Sequence, residues 1–403
     1  MSRRDDSPRI AVVGGGICGL TTAVALEQRG FDVAVYEAAP EYRPVGAGIL
    51  LQTNALLALE SIGVAARIRE AGMALSDTEI RSPDGRLLQA FDLGNVEREA
   101  FGYGFVAVRR AALLEILRDA LDAPVRTGKR CEAVEDPASP TVRFTDGSAV
   151  RPDVLVGADG IDSAVREAVA PATARSLDTT VLRALTAVDL PPDRRSVGVE
   201  VWGRGTYTGG APVGPDCFYW FATAPADVPT PASVADIRSY FATYPEPVPT
   251  VVDSLEPADV IATGLNDLPA LDRWHRGSTV LAGDAAHGML PFAGQGAAQS
   301  VEDAVALAHA LDANGTPRDA FTAYESERVD RANRVRAESR RLGRLGTLQS
   351  SVACRLRNAA AYAFPATLFE RIRRRRVANA SVPDDEPGGT GGGGDPPRVS
   401  SSR

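Results

Sequence analysis

The apolar positions of this chain change period several times, and the changes mark out its elements. Arg9 to Val13 is a short continuous apolar run of the kind found in strands buried on both faces. Gly14 to Gly16 interrupt it, and Thr21 to Arg29 read as a helix that packs through Ala23, Ala25 and Leu26. A second strand follows at Val33 to Tyr36, completing a βαβ unit of about 30 residues. From Ser76 to Leu93 the pattern becomes a hairpin around Pro83-Asp84-Gly85, and Thr141 to Val150 repeat it around Asp146-Gly147. Arg110 to Ala120 are helical, and Asp153 to Val156 return to the buried-strand pattern.

Residues Asp178 to Thr263 differ. They alternate strand runs such as Ser196–Trp202 and Cys217–Thr223 with Gly- and Pro-rich turns, which predicts an antiparallel sheet inserted between halves of the first unit. Thr279 to Leu281 restore the buried strand, and helices are predicted over Ala297–Leu311 and Ala320–Leu342. A last amphipathic helix carries Leu345, Leu348, Val352, Leu356 and Ala363, with an interruption at Pro365. The partition expected is discontinuous. Residues 8–75, 100–175 and 264–345 are expected to form one discontinuous α/β domain, and 76–99 with 176–263 an inserted sheet domain. Residues 346–380 form a C-terminal helical segment, and the Gly- and Ser-rich stretch 381–403 is expected to be disordered.

Composition narrows the class without naming a reaction. The 403 residues suffice for two or three domains, and 44% apolar with 24% charged residues is ordinary for a globular chain. A net charge of −8 gives no support for a nucleic-acid partner. Cys18, Cys131, Cys217 and Cys354 are far apart, and His275, His287 and His309 lack zinc spacing, so no metal site and a reducing, cytoplasmic setting are expected. No signal peptide or membrane-spanning run is read. The basic cluster Arg371–Arg376 beside Leu368, Phe369 and Ile372 reads as a solvated helix end rather than a membrane contact.

The first chemical signal is Gly14-x-Gly16-x-x-Gly19 followed by Glu37. Gly14 permits a tight turn out of the strand, Gly16 lets backbone N–H groups approach a pyrophosphate, and Gly19 lets the helix lie against the strand. The positive end of the helix dipole faces the phosphates. Glu37, closing the second strand, is placed to accept from a ribose 2′-hydroxyl and to repel a 2′-phosphate. This motif leaves NAD and FAD both open. Cys18 within it reads as a packing residue.

Further stretches decide between them. They are Arg43-Pro-Val-Gly-Ala-Gly-Ile49, Val108-Arg109-Arg110-Ala-Ala-Leu-Leu, and Asp153 to Arg166 with Asp159-Gly160 at its turn. Asp267 to Trp274 follow, then Gly283-Asp284-Ala-Ala-His287 running on through Pro291 to Gly294-Gln295-Gly296, and Tyr324-Glu-x-x-Arg328-x-x-Arg331. In this order the chain resembles the single-component flavoprotein aromatic hydroxylases of the p-hydroxybenzoate hydroxylase-like fold, nearest the salicylate hydroxylase, urate hydroxylase and zeaxanthin epoxidase branch, over roughly residues 9–345.

The resemblance implies an α/β fold, with a Rossmann-like FAD-binding domain of the GR2 type and an inserted, mainly antiparallel substrate sheet followed by C-terminal helices. It implies that Gly14, Gly16, Gly19 and Glu37 hold the ADP half of FAD, with Arg43 in the same cofactor set. Arg110 would contact the flavin linker or pyrophosphate, and Asp284 would accept from a ribitol hydroxyl. Pro291, Gly294 and Gly296 would lie beside the isoalloxazine, and Asp159 would serve flavin and nicotinamide donor, unless it is simply a turn-forming Asp-Gly pair. His287 is expected to be structural. Arg109 and Ala297-Ala298-Gln299 depart from the family, which often has His and Asn there.

The chemistry implied is reduction of FAD by transient NAD(P)H, addition of O₂ as a flavin C4a-hydroperoxide, and hydroxylation or epoxidation of an aromatic, heteroaromatic or polyene small molecule by a monomer or homodimer. Arg204 and Tyr219 are the substrate-side candidates, although plain sheet packing explains them equally well. Strand alternation puts Tyr219 with Phe221 and Phe218 with Trp220, leaving open which pair faces the flavin. A flavin-dependent halogenase needs an active-site lysine, and Lys129, the sole lysine, lies far from the flavin motifs. An FAD-dependent reductase or dehydrogenase of the same fold, and a non-catalytic FAD-binding protein, remain as alternatives.

Overall fold

The computed structural model describes residues 8–42, 47–224 and 233–380. Arg43 and the tail 381–403 lie outside the described residues. The continuous apolar run Arg9–Val13 is the middle of a six-stranded sheet, flanked in parallel by Asp32–Tyr36 and Val154–Gly157. Thr279–Leu281 adds to Val154–Gly157 in parallel, with Leu155 opposite Thr279, and Val125–Arg126 closes the other side. Every residue from Ile10 to Val13 is buried, which explains why this strand reads as continuous rather than alternating.

The first helix begins at Ile17, four residues earlier than the sequence pattern places it, because Gly16 takes an extended conformation and serves as the N-cap. Its residues from Ile17 to Leu26 are all buried, so no polar face exists to mark its start. It lies between the sheet and the helix Gly296–Ala313, itself buried over most of its length.

The second layer is a seven-stranded sheet. Its order is Ile261–Asp267, Arg175–Ala187, Cys217–Thr223, Tyr207–Gly214, Val197–Trp202, Asp77–Arg81 and Leu87–Phe91. All neighbours are antiparallel except Val197–Trp202 with Asp77–Arg81. Phe218 and Trp220 point to the face covered by helices Val234–Phe241 and Val248–Asp253, where Trp220 meets Phe241 edge-on at 5.7 Å. Tyr219 and Phe221 therefore face the other way, toward the small sheet Gly48–Leu51, Phe105–Arg109 and Met73–Leu75.

The C-terminal helices correct one expectation. The long helix Pro317–Gly346 contains Leu345 and then stops, and Ser350 caps a separate helix, Ser351–Ala363. Pro365 starts a third, Ala366–Ala378. The apolar period carried across this region does not face the protein: Leu345, Val352 and Leu356 are exposed, and Cys354 and Arg357 occupy the packed side. Arg357 donates to the Trp202 and Gly203 carbonyls at 2.7 and 3.1 Å, so a charge that satisfies backbone acceptors takes the inward position.

Candidate functional site

At the C-terminal end of Arg9–Val13 the chain turns through Gly14 with φ of +106°, where a Cβ would collide with the Ala158 carbonyl. A Cβ on Gly19 would strike the Gly14 carbonyl, so the helix presses directly on the turn. Gly16 is the opposite case, with nothing within 4 Å of the space a Cβ would take. Two positions are glycine because the protein is tight, and one opens onto space above an uncapped helix N-terminus. Glu37 folds toward this loop, its carboxylate accepting from Gly15 N at 2.6 Å and Ala39 N at 2.7 Å. Tyr42 donates to the Gly15 carbonyl.

Asp159 lies at the end of the neighbouring strand. Its carboxylate accepts from the Ser163 hydroxyl and from Ala164 N and Val165 N, which start the helix Ala164–Val169. The turn-forming role is thus visible in the geometry, and a ligand would have to share these acceptors.

Gly283, with φ of +61°, turns the chain from Thr279–Leu281 into the single helical turn Asp284–His287. Asp303, two turns into the helix Gly296–Ala313, fixes this turn by accepting from Gly283 N at 2.8 Å and pairing with His287 Nε2 at 2.6 Å. His287 is buried, and its role is to hold the loop. Arg328 donates to Asp303 at 2.8 Å and to Glu302, and Arg331 donates to both Glu302 oxygens. Asn54 donates to Glu302 at 2.6 Å, joining the small sheet's following helix to the cluster. Burial alone would raise both carboxyls, but His287 and Arg328 bring Asp303 to about 2, and the two arginines hold Glu302 below its usual range.

Asp284 itself points away from this cluster and is exposed to solvent, as is Arg110. Protein still surrounds both closely enough for desolvation to shift them in opposite senses. Burial raises the Asp284 carboxyl against His287 and Arg110, and burial lowers Arg110 against Asp284. Two opposite charges that influence each other, both exposed and with no side-chain hydrogen bond or ion pair among the described residues, are a candidate polar ligand site. Beside it Pro291–Ala293 make one 3-10 turn, Gly294 adopts φ of +60°, and Gly296 opens the long helix with no side-chain cap on its N-terminal donors. Helices begun by Ser163, Ser233, Thr316 and Ser350 do carry such caps.

Across from this segment stands the inner face of the seven-stranded sheet. Tyr207 meets Phe292 edge-on at 5.5 Å and Phe221 at 5.3 Å, and Phe221 meets Tyr219 at 6.0 Å. Tyr219 packs so closely on Gly48 that no Cβ fits there. Burial pushes the Tyr219 phenol up to about 12, against Arg183, so it stays protonated. Arg204 is placed elsewhere, exposed in the turn between Val197–Trp202 and Tyr207–Gly214, with no hydrogen bond or ion pair among the described residues. The wall holds residues that the sequence pattern did not single out: Arg183, Glu200 and Tyr207. Only strand pairing between distant segments brings them together, and single-strand alternation does not contain that information.

The remaining features carry no site. Cys18 is buried against Gly283, and burial pushes its thiol well up. Lys129 pairs with Asp146 and Ser148 in a hairpin. Among the described residues no cluster could hold a metal, and no helix is long and apolar enough to cross a membrane.

Residues 8–339 match the FAD binding domain family. The chain belongs to that family. It is 34% identical over 354 residues to the aurachin C monooxygenase/isomerase of Stigmatella aurantiaca, covering 86% of this chain and 92% of that one. It is 36% identical over 346 residues to the 3-amino-4-hydroxybenzoate 2-monooxygenase of Streptomyces cremeus, covering 84% and 87%. Klebsiella pneumoniae HpxO, solved with FAD and uric acid, superposes with a TM-score of 0.83 at 27% identity, covering 93% of this chain and 97% of that one. FAD is the cofactor of this family member, and NAD(P)H is the family's usual electron donor. The chain is an FAD-dependent monooxygenase with the p-hydroxybenzoate hydroxylase-like fold.

Proposed function

We propose that this monooxygenase hydroxylates a planar aromatic or heteroaromatic small molecule held between the Pro291–Gly296 segment and the Tyr207–Tyr219–Phe221 wall. The observation that carries the reading is this aromatic wall opposite the uncapped N-terminus of Gly296–Ala313. Bound FAD, reduced by NAD(P)H, supplies the activation of O₂.

The chain's own residues do the rest. The Gly14–Gly19 turn and the N-terminus of Ile17–Glu27 take the pyrophosphate, with the open space at Gly16 as its seat. Glu37 reaches the adenosine ribose, Asp284 takes a ribitol hydroxyl, and Arg110 supplies positive charge toward the linker. Pro291, Gly294 and Gly296 would set the backbone against the cofactor's ring system, where the uncapped N–H groups of Gly296–Ala313 would stabilise negative charge. Tyr219, Phe221, Tyr207 and Phe292 exclude water from the reacting edge. Arg204, on its exposed turn, is proposed to have no part in substrate binding. A cytoplasmic location and a monomeric or homodimeric state belong to the same proposal, the latter readable by light scattering.

The test is NAD(P)H oxidation and O₂ uptake by the FAD-loaded protein across a panel of phenolic, heteroaromatic and polyene compounds. The expected result is stimulation by an aromatic compound, with one atom from isotopically labelled O₂ in the product. Oxidation that no compound stimulates, or that yields only H₂O₂, would favour an oxidase or a binding role.

A further inference from the structure

On the inner face of the seven-stranded sheet, one row of cross-strand partners runs Arg183, Phe221, Gly209, Glu200. Three strand spacings separate its ends, about 14 Å between backbones. The row carries a cation at one end and an anion at the other, with Phe221 between them, leaning over Gly209. The two charges are too far apart to be each other's partner. Arg183 donates to the Thr263 hydroxyl, but its Nε is buried without an acceptor, and among the described residues no carboxylate pairs with it. Glu200 accepts from Trp202 Nε1 at 3.3 Å with the Tyr207 phenol near it, leaving acceptor capacity on a carboxylate able to take about four donors. Both side chains retain partial solvent access, although they lie on the face turned toward the cofactor-binding layer. An interior position for an ion is costly unless a partner completes it.

We propose that this row reads two opposite edges of the substrate: Arg183 donates to an acceptor edge, a carboxylate or ring carbonyl, while Glu200 accepts from an N–H or O–H on the far edge and Phe221 lies against the ring between. The inference rests on the reading of this cavity as the substrate site, and it narrows the substrate class. A ring bearing a donor on one edge only, or an acceptor on one edge only, satisfies half of the row.

The experiment is equilibrium binding to the FAD-loaded protein, followed by quenching of tryptophan fluorescence, since Trp202 touches Glu200. The probes are 3-amino-4-hydroxybenzoate with both edges, benzoate with the acceptor edge, and 2-aminophenol with the donor edge. The wild type is expected to bind the first at least tenfold more tightly than either of the others. Glu200→Gln should cost 3-amino-4-hydroxybenzoate tenfold or more and leave benzoate unchanged; Arg183→Gln should cost 3-amino-4-hydroxybenzoate as much and leave 2-aminophenol unchanged. Glu200→Gln keeps the shape of the side chain and Arg183→Gln shortens it while keeping a polar end, and thermal unfolding of each variant checks that the fold is retained. Equal losses for all three probes, unchanged binding in both variants, or a wild type indifferent to the two edges overturns the proposal. Because binding is read without turnover, it separates from the functional reading. The expected pattern without stimulated NAD(P)H oxidation sinks the hydroxylase proposal alone, and stimulated oxidation with edge-blind binding sinks the row alone.

Discussion

At the scale of single residues, the glycines of the first turn make different demands, and substitution separates them. Gly16→Val fills open space, so stability should change by no more than about 0.5 kcal/mol, while FAD binding weakens tenfold or more, about 1.4 kcal/mol. Gly19→Ala drives a methyl into the Gly14 carbonyl and should cost about 1–3 kcal/mol of stability before any ligand is considered. Calorimetry on the apo proteins and FAD titration distinguish the two, and equal behaviour would contradict the assignment of Gly16 to the pyrophosphate. Asp284→Ala should loosen FAD by about 1–3 kcal/mol with the fold retained, because the carboxylate faces the open site and not the buried cluster behind it. Retention of FAD at wild-type affinity through dialysis would count against it. These residues were legible in the sequence because each motif is local: a strand, a turn and a helix start within a few residues. Arg183 and Glu200 were not, since their meaning arises only when strands from distant parts of the chain come into register.

At the scale of elements, the helices Gly296–Ala313 and Pro317–Gly346 are joined by buried ions. Arg328 and Arg331 neutralise Glu302 and Asp303, and the same Asp303 holds the Gly283 turn. Arg328→Met should therefore cost about 3–5 kcal/mol, since it strands buried carboxylates, and urea unfolding would measure it. The pH dependence has a definite sign. Asp303 titrates near 2 in the folded chain and near the ordinary carboxylate value when unfolded, so its contribution is fully present above about pH 4 and is lost as pH falls from there through 2. Asp303→Asn should flatten that acid limb in a urea midpoint series; an unchanged limb would mean that the cluster does not report on folding. The helix interiors were read correctly from apolar period, but the C-terminal one misled. Val352 and Leu356 keep helical spacing and are exposed, while Arg357 turns inward to bare carbonyls, so apolar spacing located helical sequence but not its packed side.

At the scale of the whole molecule, the reaction depends on two layers closing over one space, the Pro291–Gly296 segment from the first and the Tyr219 wall from the second. Tyr219→Ala removes a ring seated on Gly48 without touching the cofactor turn. FAD content should stay at the wild-type level, and product formed per NAD(P)H consumed should fall with a matching rise in H₂O₂. Measuring product, NAD(P)H and peroxide together checks this, and unchanged coupling would reduce Tyr219 to a packing residue. The two-layer plan was legible because the ordered motifs return to a buried-strand pattern after the β-rich stretch. That same interleaving has a consequence for biosynthesis. Val154–Gly157 takes its outer neighbour from Thr279–Leu281, so one edge of the central sheet stays unpaired while the entire intervening segment is being translated. At about 5–20 residues per second, a nascent chain presents that apolar edge for on the order of ten seconds. Slow translation through this stretch, or a shortage of chaperones that shield strand edges, should lower soluble yield more than any single substitution on the surface.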